Sequence, residues 1–527
     1  MIAMQTTLPS KWFRIFGPPG TGKTTRLLDE IDRLVLEGVP STKIGFFAFT
    51  RKAANEAKGR AMRRFSLDPD DVSNFRTLHS FCFRHSGIGF DQLLTKENWR
   101  ELSESVGFDL GWDQKDPDAV EDLATALPDK QSVINLITMA RIKQITYREA
   151  YDQWDYAHLH SWDQVLFIAL SYDKYREMTR TYDFTDMLIK FLENAPETCP
   201  SFHTVFIDEA QDLSPLQWKV VKAISEKSDR VIVAGDDDQA IFRWAGADVG
   251  TFLELPGMSE TLSQSWRIPS QVHRLAEAVA AQISNRYPKR YLPKEDRGSI
   301  LWIHGVESIL SMLEDESWLI LAQCGYMLED TEKLLLAGGF FFETKHRKSV
   351  PDKVIMAVAA WRKLQADQEI TGKEVRAVYN YLNAGADVRR GFKTAPGLED
   401  DDNVTYDDLE RDVGLLVEKD QPWFLALSKI PAEQRAYLRS IENRGEDFQG
   451  KARITLSTIH GAKGGEADNV ILFTDQSHSS VLESQRDREG NNDLHRTFYV
   501  GITRTKNRLF LVTPRFEKQA YRLDHLI

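Results

Sequence analysis

The sequence is short of cysteine, of long apolar runs and of positive charge, and each shortage argues against a class of protein. Its three cysteines, Cys82, Cys199 and Cys324, are scattered through 527 residues. That spacing argues against a disulfide framework, a zinc-binding pair and an iron–sulfur cluster. No apolar stretch approaches the roughly 18–20 residues that span a bilayer, so no membrane association is expected. The opening MIAMQTTLPSKW has neither a basic cluster nor an apolar secretion core, so a cytoplasmic protein is expected. The net charge of −12 looks wrong for a nucleic-acid partner. Binding depends on local stripes rather than on the total, however, and Arg51, Lys52, Lys58, Arg60, Arg63 and Arg64 form such a stripe.

What the sequence does have is a phosphate loop. Gly17-Pro-Pro-Gly20-Thr-Gly22-Lys23-Thr24-Thr25 follows the apolar run Trp12–Phe16 and opens a helical pattern over Thr24–Leu36. Strand, glycine-rich loop and helix in that order make a concave anion site, because backbone N–H groups and a helix N-terminus converge where no side chain intrudes. In that chemistry Lys23 reaches the β- and γ-phosphates and Thr24 holds Mg²⁺. A second signal, Asp208-Glu209-Ala-Gln-Asp212, ends the apolar strand pattern Thr204–Ile207. A third, Gly235-Asp-Asp-Asp-Gln239-Ala-Ile-Phe242-Arg-Trp244, ends Arg230–Ala234.

Short apolar strands alternating with helical patterns imply a doubly wound α/β sheet, with ligands at the carboxyl ends of the strands. Thr24 and Asp208 must share one Mg²⁺ although they are far apart in sequence. The strand-poor, helix-patterned stretch between them therefore reads as an insertion. Further strands at Ser299–Ile303, Trp318–Leu321, Arg453–Leu456, Asn469–Phe473 and Arg508–Val512 describe a second α/β domain with its own insertion. The expected domains are 1–84 with 182–255, carrying insertion 85–181, and 256–349 with 447–527, carrying a reduced insertion 350–446.

With these strings in view, the chain resembles the UvrD/Rep/PcrA-like helicases of superfamily 1A along nearly its whole length. FAFTRKAANEAKGR at Phe47–Arg60 is similar to motif Ia and RTLHSF at Arg76–Phe81 to motif Ib. DEAQD and GDDDQAIFRWAGA are similar to motifs II and III. LSQSWRIPS at Leu262–Ser270, TLSTIHGAKGGE at Thr455–Glu466 and FYVGITRTKNRL at Phe498–Leu509 are similar to motifs IV, V and VI. Three features depart from the family pattern. The phosphate loop GPPGTGKT is the form favoured in superfamily 1B, Gly465 replaces a bulky apolar residue, and only Gln5 is available as the adenine-reading glutamine.

The resemblance implies two RecA-like domains and ATP with Mg²⁺ as the working ligands. Asp208 would serve the metal alongside Thr24, and Glu209 would orient and deprotonate the attacking water. Gln239 would report the γ-phosphate, with Arg267 and Arg504 approaching it from the second α/β domain. Trp266 would stack on adenine and Glu466 would touch the ribose. Phe242 and Trp244 would stack on bases of a single DNA strand, since every base offers a π-face. Phe49, Thr50, Thr77, His79, Thr458 and His460 are the further strand-contact candidates, and Phe516 is a candidate strand-separating pin. The implied activity is 3′-to-5′ translocation and unwinding by a monomer acting on single strands and their junctions with duplex, in a bacterial or phage-infected cell and with possible replication or repair protein partners. Two alternatives stay open: 5′-to-3′ movement, favoured by the phosphate loop alone, and a strand-dependent ATPase that remodels nucleoprotein and unwinds only with a partner.

Overall fold

The computed structural model describes residues 11–48, 51–65, 67–110, 131–313, 315–345 and 347–526. The chain divides into two compact units, Met1–Asp296 with Leu482–Thr503, and Arg297–Val481 with Arg504–Ile527. Each contains a six-stranded, wholly parallel sheet.

In the first unit the strands are β1 (Trp12–Phe16), β2 (Ile44–Ala48), β3 (Phe75–Thr77), β4 (Phe202–Ile207), β5 (Ser228–Gly235) and β6 (Met258–Thr261), in the order β3-β2-β4-β5-β1-β6. The central strands are apolar on both faces, as a sheet covered by helices on each side requires. Alternation along each strand sorts its residues between two cores. Phe16, Phe47, Ile207 and Val233 pack with Phe81, Leu188 and Trp218. Ile15, Phe46, Phe206 and Ile232 pack with Leu27, Ile31 and Ala57 on the opposite face. Parallel registry, with Phe16 beside Gly235 and Ile207 beside Val233, brings the carboxyl ends of β1, β4 and β5 to one edge.

Within residues 85–181, helices Lys96–Val106, Val133–Lys143, Tyr147–Asp152 and Trp162–Thr179 enclose a core of Trp99, Leu102, Ile137, Val165 and Tyr172. A charged joint ties this bundle to the helix Phe184–Thr198. Arg141 bonds both Asp183, the N-cap, and Asp186, while Arg176 bonds Asp186.

The second unit contains β7 (Ser299–Ile303), β8 (Trp318–Ala322), β9 (Phe342–Thr344), β12 (Ile454–Thr458), β13 (Ala467–Phe473) and β14 (Thr505–Val512), in the order β7-β14-β13-β8-β12-β9. Between β9 and β12 lie a two-stranded ribbon, β10 (Ile370–Thr371) with β11 (Asn403–Val404), and helices including Asp352–Gln365, Gly372–Asn380 and Ala432–Asn443. Val358, Trp361, Val375, Tyr379, Leu427 and Leu438 belong to their separate apolar core. Among the described residues no helix is long and apolar enough to cross a membrane.

Two arrangements differ from the expected boundaries. β6 pairs with β1, so the first sheet continues past residue 255. The segment through Asp296 and the helix Arg488–Ile502 also belong to the first unit, which places Arg267 there rather than in the second. The physical reason is that β6, sequence MSET, is a polar, largely exposed edge strand with no apolar signature, held by its ladder to β1.

Candidate nucleotide and strand-binding site

The phosphate loop connects β1 to the helix Lys23–Leu36, with Gly22 at its N-cap in the left-handed region at φ 80°. Gly20 lies at φ 72°, and a Cβ there would stand 2.4 Å from the Cβ of Arg267. A Cβ on Gly17 would meet the Lys23 Cγ at 1.9 Å. Both positions exclude a side chain, which leaves a concave backbone cradle at a helix N-terminus. Lys23 folds into it, donating from Nζ to the Gly17 carbonyl at 2.8 Å. The residues after β6 brace the loop: Ser265 Oγ donates to the Pro19 carbonyl at 2.8 Å, and the Trp266 amide to the Gly20 carbonyl at 2.9 Å. Arg267 thereby stands against the loop, and the Trp266 ring is 76% exposed beside it.

At the end of β4, Asp208 is buried and accepts from Thr24 Oγ1 at 2.9 Å. Burial, reinforced by the neighbouring Glu209 charge, pushes its carboxyl up to about 6, against the pull of Lys23 and Thr24. A buried carboxylate beside a hydroxyl is a hard-oxygen pair of the kind Mg²⁺ takes when phosphates supply other ligands, so these residues fit the ion. Glu209 adopts the left-handed backbone at φ 53°, unusual for a non-glycine residue and a form of strain that concentrates at working sites.

Gln211, which the sequence reading left without a role, joins the two acidic turns. Its Nε2 donates to Glu209 Oε2 at 2.5 Å, and its Oε1 accepts from the Asp236 amide at 3.0 Å. Past β5, Gln239 Nε2 donates to Asp236 Oδ2 at 2.7 Å. Three consecutive buried aspartates need countercharge, and it comes from Lys289, buried with its Nζ 3.1, 2.6 and 2.7 Å from Asp236, Asp237 and Asp238. Arg286 adds a two-pronged pair to Asp238 at 2.8 and 2.6 Å. Burial raises Asp237 to about 6. For Asp236 burial is outweighed by the Lys289 and Lys23 charges, which hold its carboxyl below the usual range. The sequence signal for this cluster was the unpaired DDD itself and the basic segment Arg286–Arg290, which sequence reasoning missed.

The aromatic pair follows. Phe242 is 9% exposed and Trp244 38%, with ring centroids 6.2 Å apart. Trp244 is therefore the ring with a face open to solvent. Thr77 caps the helix Leu78–His85 by accepting from the Ser80 amide at 3.3 Å. His79 is buried, and burial lowers its imidazole to about 4, so it is neutral. As a neutral ring it can meet a sugar or phosphate only as a hydrogen-bonding group, not as a cation. Phe49, Thr50 and Gln5 lie outside the described residues. In the second unit, Thr458 Oγ1 accepts from the Gly461 amide at 3.1 Å, and His460 follows in the same turn. Glu466 pairs with Lys506 at 2.7 Å. Arg504 Nη1 donates to the Gly465 carbonyl at 3.2 Å. Phe516 is 65% exposed. Thr25, in the first turn of the phosphate-loop helix, is exposed.

Residues 3–258 match the UvrD/REP helicase N-terminal domain family, and residues 426–515 match the UvrD-like helicase C-terminal domain family. The chain is 29% identical over 293 residues to a Bacillus subtilis protein named ATP-dependent DNA helicase PcrA, a match covering 53% of this chain and 39% of that protein. It is 27% identical over 288 residues to the PcrA of Staphylococcus epidermidis, covering 52% of this chain and 38% of that one. A Mycoplasma genitalium protein named probable DNA helicase II homolog is 21% identical over 589 residues, covering 94% of this chain and 82% of its own length. Phosphate loop, acidic turns and both domain families point the same way: the chain belongs to the UvrD/PcrA-like helicase family.

Proposed function

We propose that the chain is an ATP-driven translocase on single-stranded DNA that moves 3′ to 5′ and separates strands at junctions with duplex. The observation that carries this reading is one edge of the first sheet. There the phosphate loop, Asp208, Glu209 and Gln239 converge, and Trp244 follows Gln239 by only five residues.

Gly17, Gly20, Gly22 and the helix N-terminus would hold the phosphates, with Lys23 moving from the Gly17 carbonyl onto the β/γ oxygens. Thr24 and Asp208 would hold Mg²⁺, which when bound neutralises charge on the transferred phosphoryl group. Glu209 would orient a water in line and take its proton, while Gln239 would sense the phosphate. Arg267, already against the loop, and Arg504 are proposed to stabilise the developing charge, a role worth about 10³–10⁵ in rate in other phosphoryl-transfer enzymes. Trp266 and Glu466 are proposed to contact the adenosine. Trp244, backed by Phe242, would stack on a base, and Thr458 and His460 are proposed as strand contacts from the second unit. Strand affinity should fall linearly on logarithmic axes with added salt, because phosphate contacts release counterions. We further propose a monomer acting in the cytoplasm.

Strand displacement with ATP on duplexes bearing a 3′ or a 5′ tail tests this reading. Displacement from the 3′ tail alone supports it, and displacement from the 5′ tail alone overturns the polarity. Strand-stimulated hydrolysis without displacement from either tail would favour the nucleoprotein remodeller.

A further inference from the structure

The helix Arg488–Ile502 belongs to the first unit, and two of its side chains reach the two ends of the segment that runs from the sensor turn to the aromatic turn. At the sensor end Arg496, fully buried, donates from Nε to the Asp237 carbonyl at 3.1 Å and from Nη2 to the Asn285 carbonyl at 2.8 Å. At the aromatic end Asp493 receives the guanidinium of Arg243, the residue between Phe242 and Trp244. Spaced three apart, Asp493 and Arg496 share a helix face and lie 3.5 Å from one another.

The Arg243 end is electrostatically loaded. Lys143, the last residue of helix Val133–Lys143, approaches the same turn, its Cγ 3.9 Å from where a Cβ on Gly246 would stand. Burial and the charge of Arg243 together lower the Lys143 amine. Asp493 is the carboxylate hydrogen-bonded to Arg243, and the charges of Asp487 and Glu483 also reach that guanidinium. A partly buried ion pair adds little net stability over apolar packing, but removing Asp493 takes away the hydrogen-bonded partner that fixes the position of Arg243 and leaves the guanidinium free to shift.

We propose that Asp493 is a positioning residue that couples phosphate sensing to base stacking. It pins the Phe242–Trp244 turn to the same rigid helix that, through Arg496, holds the Asp236–Gln239 turn. Loss of the γ-phosphate at Gln239 and displacement of a base on Trp244 are then communicated through one element. This rests on the proposed function, in which Gln239 senses phosphate and Trp244 stacks on the strand.

The test uses the full chain: ATP turnover without and with saturating oligothymidylate, and oligothymidylate affinity by fluorescence anisotropy. Asp493→Asn should keep its basal turnover and lose about tenfold in strand stimulation. Asp493→Glu should restore most of the stimulation. Adding Lys143→Met to Asp493→Asn should restore part of it, because the like charge facing Arg243 is gone. Full stimulation in Asp493→Asn overturns the proposal. So does an equal loss of basal and stimulated turnover with a lowered melting temperature, the mark of a strut. A wild-type chain unmoved by any single strand would instead overturn the functional reading beneath it.

Discussion

The two six-stranded sheets share a parallel build but differ at their carboxyl ends. In the first, β1, β4 and β5 run into Gly17, Asp208 and Asp236. In the second, β8, β12 and β13 run into Gln323, Ile459 and Thr474. The first edge concentrates buried charge, with Lys289 shared among three aspartates. The buried bonds at the second are neutral ones: Thr474 Oγ1 to the Val512 carbonyl at 2.7 Å, and the Ser477 amide to Gln323 Oε1 at 2.6 Å. Asp475 there is capped by the Arg515 amide at 2.9 Å, and the Arg515 side chain pairs with Asp330 at the surface at 3.0 Å. Parallel winding gathers strand ends into one place, but the residues at those ends decide whether the place does chemistry.

The sharpest break of that comparison is Glu209→Gln. Turnover should fall about 10²–10⁴-fold, the worth of a general base, while fluorescent-nucleotide titration shows binding retained. Trp244→Ala should come next, removing about 1–3 kcal/mol of stacking. Strand-stimulated turnover then falls well below wild type while basal turnover holds, and an equal fall in both would mark the ring as packing.

A matched pair of glycines sharpens the contrast further. Gly464 in the second unit has φ 80° and open space around its Cβ position, whereas Gly20 has φ 72° and a neighbour at 2.4 Å. Gly464→Ala should cost about 1 kcal/mol of backbone strain. Gly20→Ala should cost more in thermal unfolding and weaken nucleotide binding far more than Gly464→Ala does. The smallest effect concerns pH. Asp208 has a carboxyl raised to about 6 from an ordinary value near 3.8, so the folded chain binds the proton more readily than the unfolded one. Between those values its contribution to stability declines as pH rises. Metal binding runs the other way, because the ion needs the carboxylate. Calorimetric Mg²⁺ affinity should weaken by up to about tenfold per pH unit below 6 and level off above it.

The candidate nucleotide edge of the first sheet was largely legible in the sequence because a phosphate loop and buried acidic strand ends depend on residue type at fixed spacing. Gly17–Thr24 permits few structures other than a phosphate cradle, and the apolar strands before Asp208 and Asp236 announce buried parallel strands. What was not legible lacked such a signature. β6 is polar and takes its place from its ladder to β1 and from side-chain bonds of Ser259 and Glu260 to Tyr287 and Arg26. The capture of Arg267 and of helix Arg488–Ile502 by the first unit depends on tertiary contacts to Gly20, Asp237 and Arg243 that no periodicity encodes. His79 reads as a strand contact in sequence, yet its placement in the core is a matter of which face of a short helix turns inward.

The central claim is that hydrolysis at the first sheet edge is coupled to a base on Trp244. The most direct measurement is ATP turnover by the wild-type chain titrated with single-stranded oligothymidylate and, in parallel, with blunt duplex. The account predicts strong stimulation by the single strand and little by the duplex. Turnover indifferent to the single strand would contradict it.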